Sequence, residues 1–225
     1  MLVHADSQPW WDSAVVYQIY PRSFQDSNGD GIGDLQGVID RLDYVRDLGV
    51  DAIWLSPFFC SPQRDFGYDI SDYCDVAAEY GTLATWDRLV EAAHARGLRL
   101  IIDGVYNHTS EEHPWFVESR SSRSNPKSDW YIWADGRAGG RKPPNNWRGA
   151  TPIMPAWYRC EQRGQWYLAS FHRCQPDLNW NQPEVRDAMF AAIKFWLDRG
   201  VDGLRLDMFP FIMKDPQLRN ERYRL

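Results

Sequence analysis

Apolar and polar positions along this chain follow two alternating periods. Val15-Val16-Tyr17-Gln18-Ile19-Tyr20 is rich in β-branched and aromatic residues and is closed by Pro21, which predicts a first strand. Leu35, Val38, Ile39, Leu42, Val45 and Leu48 then recur at helical spacing up to Gly49, predicting one helix with one apolar stripe. Asp51 to Ser56 reads as a second strand, stopped by Pro57. From Thr85 a second helix carries Trp86, Leu89, Val90 and Ala93 on one face, ends at Gly97, and leads into a strand over Arg99 to Asp103. A third helix begins near Pro183 with Val185, Met189, Ala192, Ile193 and Trp196 inward, and stops at Gly200. The fourth strand is Gly203 to Asp207, where Leu204 and Leu206 alternate with Arg205 and Asp207, so the two charged side chains share one face.

The three helix-to-strand junctions repeat: Leu-Gly-Val-Asp-Ala-Ile-Trp-Leu, Arg-Gly-Leu-Arg-Leu-Ile-Ile-Asp and Arg-Gly-Val-Asp-Gly-Leu-Arg-Leu-Asp. A repeating βα unit implies parallel strands joined by helical crossovers. The junction glycines stand at 49, 97 and 200, so the second interval exceeds the first by about 55 residues, too many for an ordinary loop. Roughly Ser110 to Gln175, polar and rich in Pro and Trp, is therefore an insertion after the third strand. The remainder suffices for four βα units, half of an eight-stranded barrel, or for a small open sheet. The predicted divisions are 1–108, the first part of a barrel, 109–178, an inserted subdomain, and 179–225, the barrel resumed through a third helix, fourth strand and the start of a fourth helix.

Composition narrows the partners. With 225 residues, 44% of them hydrophobic, the chain can bury a sizeable core. A net charge of −6 without a Lys/Arg block disfavours nucleic acid. No apolar run approaches membrane-spanning length, and the stretch from Met1 to Trp10 lacks the basic and apolar regions of a secretory signal, so a cytoplasmic location is expected. Cys60, Cys74, Cys160 and Cys174 form no CxxC pair and are expected as free thiols. Twelve tryptophans suit either a core or a sugar-binding cleft.

Two kinds of chemistry are written into the loops. Asp26, Asn28, Asp30 and Asp34, with the Ile32 carbonyl between glycines, place hard oxygen donors at alternate positions, as in an EF-hand loop, although Gly37 stands where that loop ends in a bidentate Glu. A structural Ca²⁺ or Mg²⁺ is expected there. Asp65-Phe66-Gly67-Tyr68-Asp69 follows the second strand, Asp103 to His108 the third, and Arg205 and Asp207 end the fourth. Polar groups at the same end of successive parallel strands can converge on one ligand. A metal site from Asp103, His108 and Asp207 is disfavoured because Arg205 would repel the cation.

These motifs, in this order, resemble the α-amylase superfamily of glycoside hydrolases, in its α-glucosidase and oligo-1,6-glucosidase branch. Asp103 to His108 is similar to the first conserved region of that family, Gly203 to Asp207 to the second, and Gln175-Pro176-Asp177-Leu178-Asn179 to the signature of the branch. Tyr17 to Phe24, Gly67 to Tyr73 and Pro143 to Trp147 add to the likeness. The resemblance implies a (β/α)8 barrel with a small domain after strand three, of which this chain holds the half with strands one to four. It implies retaining cleavage of small α-glucosides, with Asp207 as nucleophile and Arg205 holding it ionised. Asp65, Tyr68, His108 and Phe171 would bind the glucosyl ring, Tyr68 by stacking beneath it, and Asp103 would orient the cluster. The Asp26 loop matches the metal loop of the branch. Related transglycosylases and isomerases share these motifs, whereas non-catalytic amylase-like binding proteins share the fold and often lose the nucleophile, so that intact Asp207, Arg205 and His108 argue against that alternative.

Retaining hydrolysis also needs a second carboxyl about 5 to 5.5 Å from the nucleophile. In the family it is a glutamate after the fifth strand, so the chain is expected to be a fragment that is inactive alone and able to self-associate through open barrel edges. Glu221 follows Asp207 too soon to replace it and is expected in the helix leaving strand four. Gly104, where the family has a large apolar residue, is expected to loosen strand packing. Ala150 to Met154 and Met208 also depart from the usual pattern, at positions that bear on leaving-group contacts and linkage preference.

Overall fold

A computed structural model describes residues 9–222. The first eight residues, part of the stretch read for a targeting signal, lie outside the described residues. In chain order the elements are β1 (Val16–Ile19), α1 (Leu35–Asp40), α2 (Leu42–Asp47), β2 (Ala52–Leu55), β3 (Phe59–Cys60), β4 (Asp72–Val76), α3 (Leu83–His94), β5 (Arg99–Gly104), α4 (Pro114–Ser121), β6 (Trp133–Ala134), β7 (Trp157–Cys160), β8 (Gln165–Leu168), α5 (Pro183–Asp198) and β9 (Gly203–Leu206).

β1, β2, β5 and β9 hydrogen-bond in that order as one parallel sheet, the strand sequence of a half-barrel. Gly49, Gly97 and Gly200 all adopt positive φ at the helix-to-strand junctions, the left-handed stop that lets each helix reverse into the sheet. β5 and β9 pair with Asp103 opposite Arg205, and this register sets the two side chains next to each other on one face. The opposite face is covered by helices: Trp86 of α3 and Trp196 of α5 are buried and meet edge to face at 5.2 Å, with Phe58 stacked on Trp86 at 4.9 Å. With Trp157 and Trp180, four of the twelve tryptophans are buried.

The predicted first helix is two. Arg41 leaves helical geometry at φ −109° and ψ 6°, its guanidinium held by the Gln25 side chain at 2.8 Å, and α2 restarts behind it. Leu35, Val38, Leu42 and Val45 stay buried across the break, whereas Leu48 lies exposed at the end of α2. α3 starts earlier than predicted because Thr82 caps it, accepting the Thr85 N–H at 3.2 Å. In α5, Val185, Met189, Ala192 and Trp196 are buried as predicted, and Ile193 is half-buried.

Within the insertion β6, β8 and β7 form an antiparallel sheet around Ile132, Ala156, Trp157 and Leu168. The return segment closes onto the barrel through a His108–Asp177 bridge and a Leu178 N–H to Asn107 carbonyl bond of 2.9 Å. The segment after β9 makes a short 3₁₀ turn at Phe209–Phe211 and then runs without helix, contrary to expectation. Pro210 and Pro216 oppose helix propagation there. Glu221 lies against the insertion instead, exchanging two hydrogen bonds with Asn146 at 2.8 and 3.1 Å. All four cysteines are free.

Gly104 does not loosen the sheet. A Cβ at that position would lie 2.5 Å from Cε2 of Tyr106, whose ring fills the space of the missing side chain. Gly104→Leu is therefore expected to overpack the site at a cost of about 1–3 kcal/mol. Adding Tyr106→Val should recover most of that loss in urea unfolding, and strictly additive effects of the two substitutions would contradict the pairing.

Candidate active site

The side chains predicted from sequence meet at the C-terminal ends of β2, β5 and β9. Arg205 is central: one guanidinium nitrogen, Nη1, lies 2.6 Å from Asp103 Oδ1 and 2.6 Å from Asp207 Oδ1. Asp103 is 1% exposed. Burial pushes its carboxyl above the ordinary range, opposed by the hydrogen bond and charge of Arg205 and by the Trp54 indole, which donates at 2.9 Å. The Trp54 ring also underlies the guanidinium, 5.0 Å away. Burial opposes the Arg205 charge, but the two carboxylates hold its pKa above the usual value.

Tyr68 extends the cluster by donating its hydroxyl to Asp103 Oδ2 at 3.3 Å. Burial, then the negative charge of Asp103, raise the Tyr68 pKa, so the phenol stays protonated as this bond requires. His108 lies with Nε2 3.2 Å from the Tyr68 carbonyl and its ring 5.2 Å from that of Phe171. Burial holds the His108 pKa below its ordinary value, so the ring is neutral at neutral pH. Gln175 joins the last member: its amide donates to Asp65 Oδ2 at 2.8 Å and lies 3.1 Å from His108 Nε2. Asp65, Tyr68, Asp103, His108, Phe171, Arg205 and Asp207 are thereby linked in one chain of contacts.

Two members of that chain were missed by the sequence reading. Trp54 was readable: in a period-2 strand it faces the same way as the charged pair. Gln175 stood in a recognised motif, but nothing local shows that it bridges a residue 110 positions away.

The loop at residues 26–34 lies apart, ahead of α1. Asp26 accepts backbone N–H groups of Asn28, Gly29 and Gly31 at 3.0, 2.7 and 2.8 Å, and the Gly31 bond does most to lower its pKa. Asp30 accepts from the Ile32 N–H at 2.8 Å. Asp34 caps α1 through Gly37 at 2.7 Å and accepts from Ser27 through its other oxygen. The glycine-permitted winding and the all-oxygen donors suit a hard cation. Among the described residues, however, no three or more His, Cys, Asp or Glu side chains are gathered as a metal cluster.

Arg205→Met would strand the buried Asp103 carboxylate, with an expected loss of about 1–3 kcal/mol. Asp103→Asn in the same chain should restore most of it, and a double variant no more stable than Arg205→Met would contradict this balance. The sign with pH follows from Asp103. A carboxyl whose pKa is raised on folding favours the folded chain when protonated, so its penalty grows as pH rises from its unfolded to its folded pKa. Asp103→Asn should flatten that slope.

Comparison with known proteins places this arrangement. The α-amylase catalytic domain family matches residues 18–224. The oligo-1,6-glucosidase of Parageobacillus thermoglucosidasius is 55% identical over 209 residues, 93% of this chain and 37% of that protein. The α-glucosidase of Candida albicans is 56% identical over 202 residues, covering 88% and 35%. Among solved structures, the α-glucosyl transfer enzyme XgtA superposes with a TM-score of 0.92 at 57% identity, covering 95% of this chain and 40% of its own. Trehalulose synthase MutB does so with 0.90 at 49%, covering 95% and 38%. The chain thus spans well under half the length of these relatives. With the four-stranded parallel half-barrel and its charged cluster, the match over 18–224 establishes that this chain belongs to the α-amylase catalytic domain family.

Proposed function

We propose that this chain supplies the nucleophile half of a retaining active site for small α-glucosides. The observation that carries the reading is the single Arg205 nitrogen 2.6 Å from both Asp103 and Asp207. Asp103 is fully buried, so Arg205 is tethered, and the free side of its charge orients the Asp207 carboxylate at the strand ends. Asp207 attacks the anomeric carbon of the glucosyl unit, the bond to the leaving oxygen breaks, and a covalent glucosyl ester forms on the carboxylate. Water or a sugar hydroxyl then gives its proton to the residue that protonated the leaving oxygen, attacks the same carbon and returns the carboxylate. The leaving oxygen takes its proton from a second carboxyl, which the family resemblance assigns to a glutamate after the fifth barrel strand.

Asp65 and neutral His108 offer an acceptor and a donor for sugar hydroxyls, while Tyr68 and Phe171 supply ring surfaces for the glucosyl unit. Relatives named as glucosidases and as a glucosyl transfer enzyme are similar at nearly the same identity, which supports the glucosyl group as the shared donor and leaves water or sugar as acceptor. Asp26, Asn28, Asp30, the Ile32 carbonyl and Asp34 would hold Ca²⁺ or Mg²⁺ in a structural role, away from the reacting atoms. No helix among the described residues is long and apolar enough to cross a membrane.

In the intact protein, Asp207→Ala should lower release from an aryl α-glucoside by about 10⁴-fold or more. Added azide should then yield β-glucosyl azide by single displacement. Loss without azide rescue in a folded variant, or retained turnover, would refute Asp207 as nucleophile. Chelation should lower the unfolding temperature and Ca²⁺ should restore it, with Asp26→Ala removing the response; a chelator-insensitive protein would refute the cation site.

A further inference from the structure

His108 has a side-chain amide against each ring nitrogen, and the two make opposite demands. On one side, Asp177 is fully buried and the Lys214 side chain is 7% exposed, with Nζ 2.8 Å from Asp177 Oδ2. Between them lies Asn107, which donates from Nδ2 to Asp177 Oδ1 at 3.1 Å and accepts from Lys214 at Oδ1. The Ser170 N–H and hydroxyl also donate to Asp177, fixing the carboxylate. A carboxylate only accepts and an ammonium only donates, so the Asn107 amide has one possible orientation. Reversing it would set oxygen against carboxylate and NH₂ against ammonium. That fixed NH₂ lies 3.3 Å from His108 Nδ1, which can receive it only when it bears no proton.

On the other side, Nε2 faces the Tyr68 carbonyl, an obligate acceptor, at 3.2 Å and the Gln175 NH₂ at 3.1 Å. A neutral imidazole carries one N–H, so it cannot accept from both amides. Asn107 is held by two buried opposite charges. Gln175 is held by Asp65, whose side chain is 30% exposed, and by the His172 N–H at 3.2 Å. The stiffer clamp prevails.

We propose that Asn107, gripped between Asp177 and Lys214, is a positioning residue that fixes His108 as the Nε2–H tautomer. Its role in the reaction rests on the glucoside-cleaving assignment: Nε2 lies on the side of the ring where Gln175 links it to Asp65, so a sugar hydroxyl reaching that side meets an N–H donor shared with the Tyr68 carbonyl and a carboxylate acceptor. The buried ion pair thereby acts on the ligand through the position of a proton.

The test is ¹⁵N NMR of the intact protein labelled at the histidine rings, with His108 assigned by the loss of its signals in His108→Asn. The expected result is a pyridine-like Nδ1 and a pyrrole-like Nε2. Asn107→Asp, which offers Nδ1 only acceptors, should make Nδ1 pyrrole-like. Should that variant not fold, Asp177→Asn, which frees the amide to turn, should raise the Nδ1–H population. A pyrrole-like Nδ1 in the unmodified protein, or a tautomer unmoved in a folded variant, overturns the proposal. These readouts need no turnover, so they fail or hold separately from the azide experiment on Asp207.

Discussion

Burying Asp103 obliges the chain to bring a cation to it, and the rest of the site follows from how that obligation is met. An isolated carboxylate at 1% exposure would be costly, and the Arg205 guanidinium with the Trp54 indole offsets that cost. Arg205 retains a second direction of approach, and Asp207 occupies it. Burial and geometry are coupled here: the pairing that makes Asp103 tolerable in the core is the one that orients the Asp207 carboxylate.

The backbone supplies the accuracy. Parallel pairing of β5 and β9 sets Asp103 opposite Arg205, and period-2 geometry carries Asp207 to the same face. The insertion closes over this face because its return segment bridges at Asp177 and contributes Gln175. The segment after β9 closes from the other direction through Lys214. Three stretches far apart in sequence are thereby tied at His108 by polar contacts whose directions are set by charge.

Much of this was legible in the sequence, for identifiable reasons. Strands and helices announced themselves by period, and the glycines at 49, 97 and 200 marked the reversals because few other residues tolerate positive φ. The insertion was readable as an interval. What escaped was decided by contacts between distant segments. The break at Arg41 depends on Gln25, the fit of Gly104 on the Tyr106 ring, and the path of Glu221 on Asn146. Gln175 read only as part of a motif and nothing in the sequence singled out Lys214, yet the fold sets one at Nε2 of His108 and the other, through Asn107, on the Nδ1 side.

The most direct measurement is covalent trapping. Incubation of the intact protein with 5-fluoro-α-glucosyl fluoride, whose leaving group needs little protonation, followed by peptide mass spectrometry, reports which carboxylate takes the glucosyl unit. The account predicts one fluoroglucosyl adduct, on Asp207, absent from Asp207→Asn. An adduct on another carboxylate, or a folded protein that turns over α-glucosides without ever labelling at Asp207, would contradict it.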